Sequence, residues 1–237
     1  MIFAHKIAKV PFAKNLLKPF YYPYKNRIER KRNATFRKNA LEVLSAFDEA
    51  MTGAGYRYVL MFGSMLGAIR EKGFLAHDLD IDTGFWAEDY DEDLIPTLER
   101  AGFRLVHTYT IDDGRSAREQ TVERDGVTID LYYIYPALDE YPYVCSKWRP
   151  VGSCANVQES MRVHGYITGK RLELPMDHSI VRVPFENLFL PVPGNAHEVM
   201  RFYYGDDYMN PDPKWQEASS YPYRKPWPEK KAVYQEF

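Results

Sequence analysis

The sequence predicts an α+β fold, a mixed sheet flanked by helices. Three observations predict it. Apolar residues recur at helical spacing in residues 33–51 and again in 196–204. Strand-like runs in residues 103–135 are joined by tight turns. Acids interrupt otherwise apolar strand-like stretches at a period of two. With 237 residues, 45% hydrophobic and 27% charged, the chain is expected to form one catalytic domain at 33–237, preceded by an arm. A chain of this length buries roughly 70–75% of its unfolded surface, so disorder and a disulfide scaffold are excluded.

Residues 1–32 read as a basic, aromatic arm. Pro11, Pro19 and Pro23 are expected to break any long helix there. The formal net charge of −2 conceals a split: residues 1–38 carry eleven Lys/Arg and one acid, whereas the remainder carries twenty Lys/Arg and thirty-two acids. Such an arm suits a solvated tail or a foot on an anionic membrane surface, where each Lys or Arg contributes about 1 kcal/mol. No nucleic-acid module follows it, so nucleic acid is not expected as a partner. No apolar run is long enough to span a bilayer, and lysines interrupt any secretory leader. Cys145 and Cys154 lack metal spacing and read as free thiols of a reducing, cytoplasmic setting, peripheral on the inner membrane face if the arm binds there.

Phe36, Ala40, Val43, Leu44, Phe47 and Met51 then line one face of a helix, which Gly53 and Gly55 end. Residues 56–62 read as a buried strand. Gly63-Ser64 turns into a short helix through Leu66, Ala68 and Ile69 that closes at Gly73. A second strand covers about residues 80–85, and an amphipathic helix residues 91–101. Residues 103–111, 119–124 and 127–135 read as antiparallel strands, the last two joined by an Asp125-Gly126 hairpin turn. The following sixty residues are strand-like and punctuated by Pro and Gly. A last helix ends at Gly205. The tail beyond Trp215 reads as an extended strap over the domain, with no chemistry assigned.

The chemistry concentrates in His77-Asp78-Leu79-Asp80-Ile81-Asp82. On a strand, Asp78, Asp80 and Asp82 share one face. Three adjacent carboxylates without a basic residue between them require water or a cation, which favours a hard divalent ion, Mg²⁺ or Mn²⁺. Asp130 interrupts the apolar run 127–135, where a lone carboxylate is costly unless paired or metal-bound. Tyr132 shares its face by parity. Upstream, Gly63 and Ser64 offer backbone N–H groups and a hydroxyl where strand meets helix, a phosphate-binding arrangement, and Arg70 lies within reach of an anion.

Together these motifs resemble the nucleotidyltransferase fold, and more narrowly the LicD/fukutin family of phosphotransferases. The resemblance rests on the stretch from Gly63 to Phe74 running into Asp78-Leu79-Asp80-Ile81-Asp82, and on Pro191-Val192-Pro193 before a helix followed by Tyr204-Gly205-Asp206-Asp207-Tyr208-Met209. It covers roughly residues 33–213 and not the arm. His77 and Leu79 stand where the family commonly has an aromatic residue and an acid. His77 caps the strand or touches substrate.

The resemblance implies transfer of a phospho-alcohol, such as phosphocholine or ribitol phosphate, from a CDP-activated donor to a hydroxyl of a cell-surface or lipid-linked glycan, with release of CMP. Asp80, Asp82 and Asp130 are the implied catalytic and metal-binding residues. Gly63, Ser64, Arg70, His77 and Tyr132 are the implied substrate-binding residues. Trp86 and Tyr132 are candidates for an aromatic cage around a trimethylammonium group. Two alternatives stand beside this reading: a GT-A-type glycosyltransferase using a nucleotide sugar, and an inactive binding protein on the same fold. A haloacid-dehalogenase phosphatase is excluded because Thr83 stands one place too early after the Asp-x-Asp pair.

Overall fold

The structure is a computed structural model that describes residues 11–136, 140–212 and 224–237, with the backbone alone for residues 11–29 and Pro228. Helix α1 spans Pro11–Gly53. Its expected apolar face is buried from Phe36 to Met51 and packs on the sheet, with Phe47 set edge-on to Tyr58, Phe85 and Phe103. The expected break in the arm is corrected: the helix begins at Pro11 and runs through Pro19 and Pro23. Pro11 occupies the first helical position, where its missing N–H is not needed. Pro19 and Pro23 each forgo one intrahelical bond without ending the helix. Residues 1–10 of the arm lie outside the described residues.

Strand β1 is short, Val59–Leu60. The chain leaves it early because Phe62 adopts a left-handed φ of 42°, which swings it into helix α2, Phe62–Leu66. A π-helical turn, Gly67–Glu71, continues α2 and ends at Lys72, also left-handed at φ 57°. Gly67 is required there, because a Cβ would lie 2.4 Å from the Gly73 carbonyl oxygen. Then follow β2 (Asp80–Trp86), α3 (Leu94–Arg100), β3 (Arg104–Ile111), β4 (Ala117–Arg124) and β5 (Val127–Ile134). The Asp125-Gly126 turn has positive φ at both residues, as a two-residue hairpin of right-handed twist demands.

The remainder comprises β6 (Tyr143–Arg149), α4 (Val157–His164), β7 (Ile167–Glu173), β8 (Ile180–Phe185), β9 (Leu188–Pro193), α5 (Ala196–Tyr204) and β10 (Arg224–Glu236). Helix α4 falls where only strands were expected. Its apolar stripe is weak, but its ends are clear. The Asn156 carboxamide oxygen accepts the Glu159 N–H at 2.8 Å, and the Glu159 carboxylate accepts the Ala155 N–H at 2.6 Å. Gly165 closes the helix in a left-handed conformation.

The main sheet has the order β1-β2-β5-β4-β3-β10-β7-β6. Within it β2 and β5 run parallel, and the other neighbours run antiparallel. A bridge between Tyr135 and Tyr143 brings β6 back to the end of β5, so the sheet curls. β8 and β9 form a separate hairpin whose turn meets the π-helical segment, where the Glu186 N–H donates to the Lys72 carbonyl at 2.6 Å.

The C-terminal strap is corrected in position. From Arg224 onward it is extended, as expected, but it lies within the sheet between β3 and β7. Both neighbours expose ladder groups that β10 satisfies, and Ala232 is wholly buried. The register shifts between Trp227 and Ala232, next to Pro228, whose nitrogen cannot donate. Both cysteines are free thiols, Cys145 buried and Cys154 partly so. Among the described residues, no helix is long and apolar enough to cross a membrane.

Candidate active site

The parallel pairing of β2 with β5 decides the site. It sets Asp82 directly opposite Asp130, Asp80 opposite Thr128 and Gly84 opposite Tyr132. The β4–β5 hairpin adds Thr121 opposite Asp130, and β3 adds His107 opposite Thr121. A transverse row of Asp82, Asp130, Thr121 and His107 therefore crosses four strands on one face. Thr121 donates to Asp130 Oδ1 at 2.6 Å and lies 2.9 Å from His107 Nε2.

Asp78 corrects the expectation of three carboxylates on one strand. β2 begins at Asp80, and Asp78 sits in the preceding turn, where its Oδ2 accepts the Leu75 N–H at 2.7 Å. Its other oxygen still faces the site. A Cβ placed on Gly63 would lie 3.6 Å from Asp78 Oδ1 and 3.7 Å from Asp82 Oδ2, so the two carboxylates converge on Gly63. Ser64 is buried beside them, and its hydroxyl accepts the Asp82 N–H at 2.9 Å, tying the start of α2 to β2. The hydroxyl hydrogen remains a donor.

The electrostatics follow from crowding. Burial, reinforced by Asp80, Asp130, Asp78 and Glu119, holds the Asp82 carboxyl well above the usual range. Burial pushes Asp130 up to about 6, against the opposing Thr121 hydrogen bond, and Asp80 adds to the rise. Burial likewise carries Asp78 to about 6. Asp80, at the exposed start of β2, is raised by burial and lowered by Arg32 of α1. All the charged groups that shift Asp82 are acids, so its ionised form calls for an added cation.

Among the described residues, no three carboxylate, imidazole or thiol groups converge closely enough to hold a metal ion. The facing pair Asp82 and Asp130 offers two carboxylates, and Mg²⁺ is generally bound through one or two carboxylates plus waters and substrate phosphates. The donor set is all oxygen, as a hard cation requires.

A cleft of about 850 Å³ opens beside this row, within the size range of small-molecule sites. Gly63 and Asp78 line it, with Arg37, Arg70 and His77, whereas Asp80, Asp82 and Asp130 do not. The end of α5 and the segment after it also line the cleft, through Tyr204 and Tyr208. Arg70 pairs with Glu71 at 2.7 Å and donates to the Tyr208 carbonyl at 3.2 Å, while Tyr208 hydrogen-bonds His197. The Tyr204–Met209 motif thus fixes Arg70 as well as stopping α5. His77 is exposed at the cleft and lowers the pKa of Asp78 by its charge.

Tyr132 lies on the Asp130 face, edge-on to Phe62 at 5.0 Å between centroids. Trp86 is corrected as a cage residue: it is buried, with its ring stacked on His178 and the Arg57 guanidinium over it at 5.1 Å.

Glu119 and Thr121 escaped the sequence reading. The signal was present, because the two-residue turn pairs Arg124 with Val127. Counting back from that pair places Thr121 opposite Asp130 and Glu119 opposite Tyr132.

A strand turning through Gly-Ser into a helix, with paired aspartates on neighbouring parallel strands, defines a nucleotidyltransferase-type site. The LicD/FKTN/FKRP nucleotidyltransferase-domain model matches residues 55–195, more than half of the chain, and the chain belongs to that family. The match includes Gly63 through Asp130 and ends before the Tyr204–Met209 motif. Ribitol-5-phosphate transferase FKTN of Mus musculus and that of Homo sapiens are each 29% identical over 105 residues, 44% of this chain and 22% of theirs. An uncharacterized protein of Rickettsia typhi is 31% identical over 61 residues, 25% of this chain and 20% of its own. The chain thus aligns with about a fifth of the length of these relatives.

Proposed function

We propose that the chain transfers a phospho-alcohol from a CDP-activated donor to a glycan hydroxyl and releases CMP. The register of Asp82 against Asp130 beside the Gly63-Ser64 turn is the observation that carries this reading. The family membership and the ribitol-5-phosphate transferase relatives support it in kind.

In this reaction a bond forms between the acceptor oxygen and the phosphorus bearing the alcohol. The bond from that phosphorus to the CMP oxygen breaks, and CMP leaves with the electron pair. Asp80, Asp82 and Asp130 would hold Mg²⁺ or Mn²⁺, which neutralises diphosphate charge when bound. Asp130 or Asp82 accepts the proton of the attacking hydroxyl. Gly63, through its backbone, and the Ser64 hydroxyl hold a donor phosphate. Arg70, oriented by Tyr208, and His77 steer the anionic donor through the cleft. Phosphoryl transfer of this kind is governed by positioning and charge more than by covalent help.

The test is a panel of CDP-choline, CDP-ribitol, CDP-glycerol and UDP-sugars with Mg²⁺ and a glycan acceptor. CMP release that is lost in Asp80→Asn supports the reading. UDP release instead points to a glycosyltransferase, and metal-independent nucleotide binding without turnover points to an inactive binding protein.

The basic stretch of residues 1–32 extends the proposal to a lipid-linked acceptor at an anionic, cytoplasmic membrane face, because Arg32 already lies close enough to act on Asp80. Removal of residues 1–32 is expected to abolish co-sedimentation with anionic liposomes at low salt. Unchanged co-sedimentation would leave the arm no such role.

A further inference from the structure

Strand β3 carries an extra residue next to the site. Leu105 lies opposite Val122, yet His107 lies opposite Thr121, so Val106 is bulged out of the β3–β4 ladder. Without the bulge, Val106 would face Thr121 and His107 would face Gln120. Phe237 holds the bulge from the β10 side of β3, where its N–H donates to the Val106 carbonyl at 2.9 Å. A bulge of this kind re-aims a side chain. Here it sets an imidazole at the end of the row that carries Thr121, Asp130 and Asp82.

The hydrogen count at Thr121 fixes the direction of the bonds. Its hydroxyl has a single hydrogen, which goes to Asp130 Oδ1 at 2.6 Å. An ionised carboxylate only accepts, so the 2.9 Å contact with His107 Nε2 requires the proton on that nitrogen. Thr121 is only 3% exposed, and the His107 ring rests against Tyr109 and Tyr234 at 5.0 and 5.6 Å between centroids. Both side chains are therefore held in place. Asp130 Oδ1 is committed to Thr121 on the β4 side, whereas Asp82 faces Asp130 from the β2 side.

Backbone ladders already tie β3, β4 and β5 together, so these strands do not need the side-chain bonds to pair. A carboxylate that binds a metal or takes a proton is oriented by hydrogen bonds from behind it. We propose that Thr121 and His107 are positioning residues for Asp130. Thr121 occupies Oδ1, the His107 Nε2–H locks the Thr121 hydroxyl in that direction, and Oδ2 is left to the reacting groups beside Asp82. The role in turnover rests on the transfer reading, whereas the bond directions do not.

Two measurements test this. Long-range proton–nitrogen correlation spectra of the wild-type chain, at a pH where the imidazole is neutral, are expected to show the His107 proton on Nε2. A bare Nε2 overturns the proposal, and this measurement needs no variant. The second uses the CDP-alcohol that the donor panel identifies. Thr121→Val is expected to lower kcat by about 10–100-fold and to leave the donor KM within about twofold, and Thr121→Ser to recover kcat to within about threefold. His107→Phe, which keeps an aromatic ring against Tyr109 and Tyr234, is expected to lower kcat about tenfold. Wild-type kcat in Thr121→Val or His107→Phe, an equal loss in Thr121→Ser, or a loss carried by the donor KM overturns the proposal. Failure of the transfer reading shows separately, as no CMP release from any CDP-alcohol by the wild-type chain. In that case a proton on Nε2 leaves the bond directions standing and removes only the role in turnover.

Discussion

Asp82→Asn is expected to lower CMP release by roughly a thousandfold while leaving the metal-free fold as stable as the wild type or more so. The two effects have one cause. Asp82 is raised by burial, and Asp80, Asp130, Asp78 and Glu119 all repel its charge. Asparagine removes that repulsion at nearly constant volume. Its side-chain carbonyl still faces Gly63, and the Asp82 N–H to Ser64 hydrogen bond is a backbone bond that survives the change. A residue retained for folding would lose stability on this substitution. Thermal unfolding alongside the CMP assay checks both halves. A large drop in melting temperature, or near-normal turnover, would count against Asp82 as a metal-binding catalytic group.

The second large effect concerns pH. Burial pushes Asp78 and Asp130 in the fold up to about 6 from the ordinary 3.8, and holds Asp82 well above its ordinary value. A carboxyl raised in the fold contributes stability that is fully present below its unfolded pKa. That contribution is lost as the pH rises through the folded value. The metal-free protein is therefore expected to lose this contribution between about pH 4 and somewhat above pH 6. Asp130 alone accounts for on the order of 3 kcal/mol. Asp130→Asn is expected to flatten the dependence. Millimolar Mg²⁺ is expected to restore stability above pH 6, because a ligand that binds the folded state stabilises it by mass action. Denaturant melts at pH 4 and pH 7, with and without Mg²⁺, check the sign. A wild-type contribution that grows with pH and matches that of Asp130→Asn would overturn the assignment.

Local signals carried much of this protein. The apolar stripe from Phe36 to Met51, the Asp125-Gly126 turn and the Gly205 stop each act within a few residues, and each appears where local chemistry places it. The Asp80 and Asp82 pair and the lone Asp130 were also legible, because a carboxylate in an apolar strand needs a reason beyond packing. Proline misled in the arm, since a helix entering at Pro11 loses no bond there. Helix α4 was missed because its evidence lies in the reciprocal caps of Asn156 and Glu159 and not in its short apolar stripe.

By itself the sequence determined which residues are acidic, apolar or turn-forming, and hence the α+β class and the short list of candidate catalytic carboxylates. Only the tertiary structure decided which strand lies beside β2. The parallel pairing of β2 with β5 joins segments nearly fifty residues apart, and no local preference encodes that contact. A local turn at Leu75 moved Asp78 off the strand and the β4–β5 hairpin set Glu119 near Asp130, whereas other long-range contacts brought Trp148 to Glu119 and drew residues 224–236 in between β3 and β7. Strand propensity specifies that a segment will pair. Its partner is chosen by which faces the whole chain can bury together.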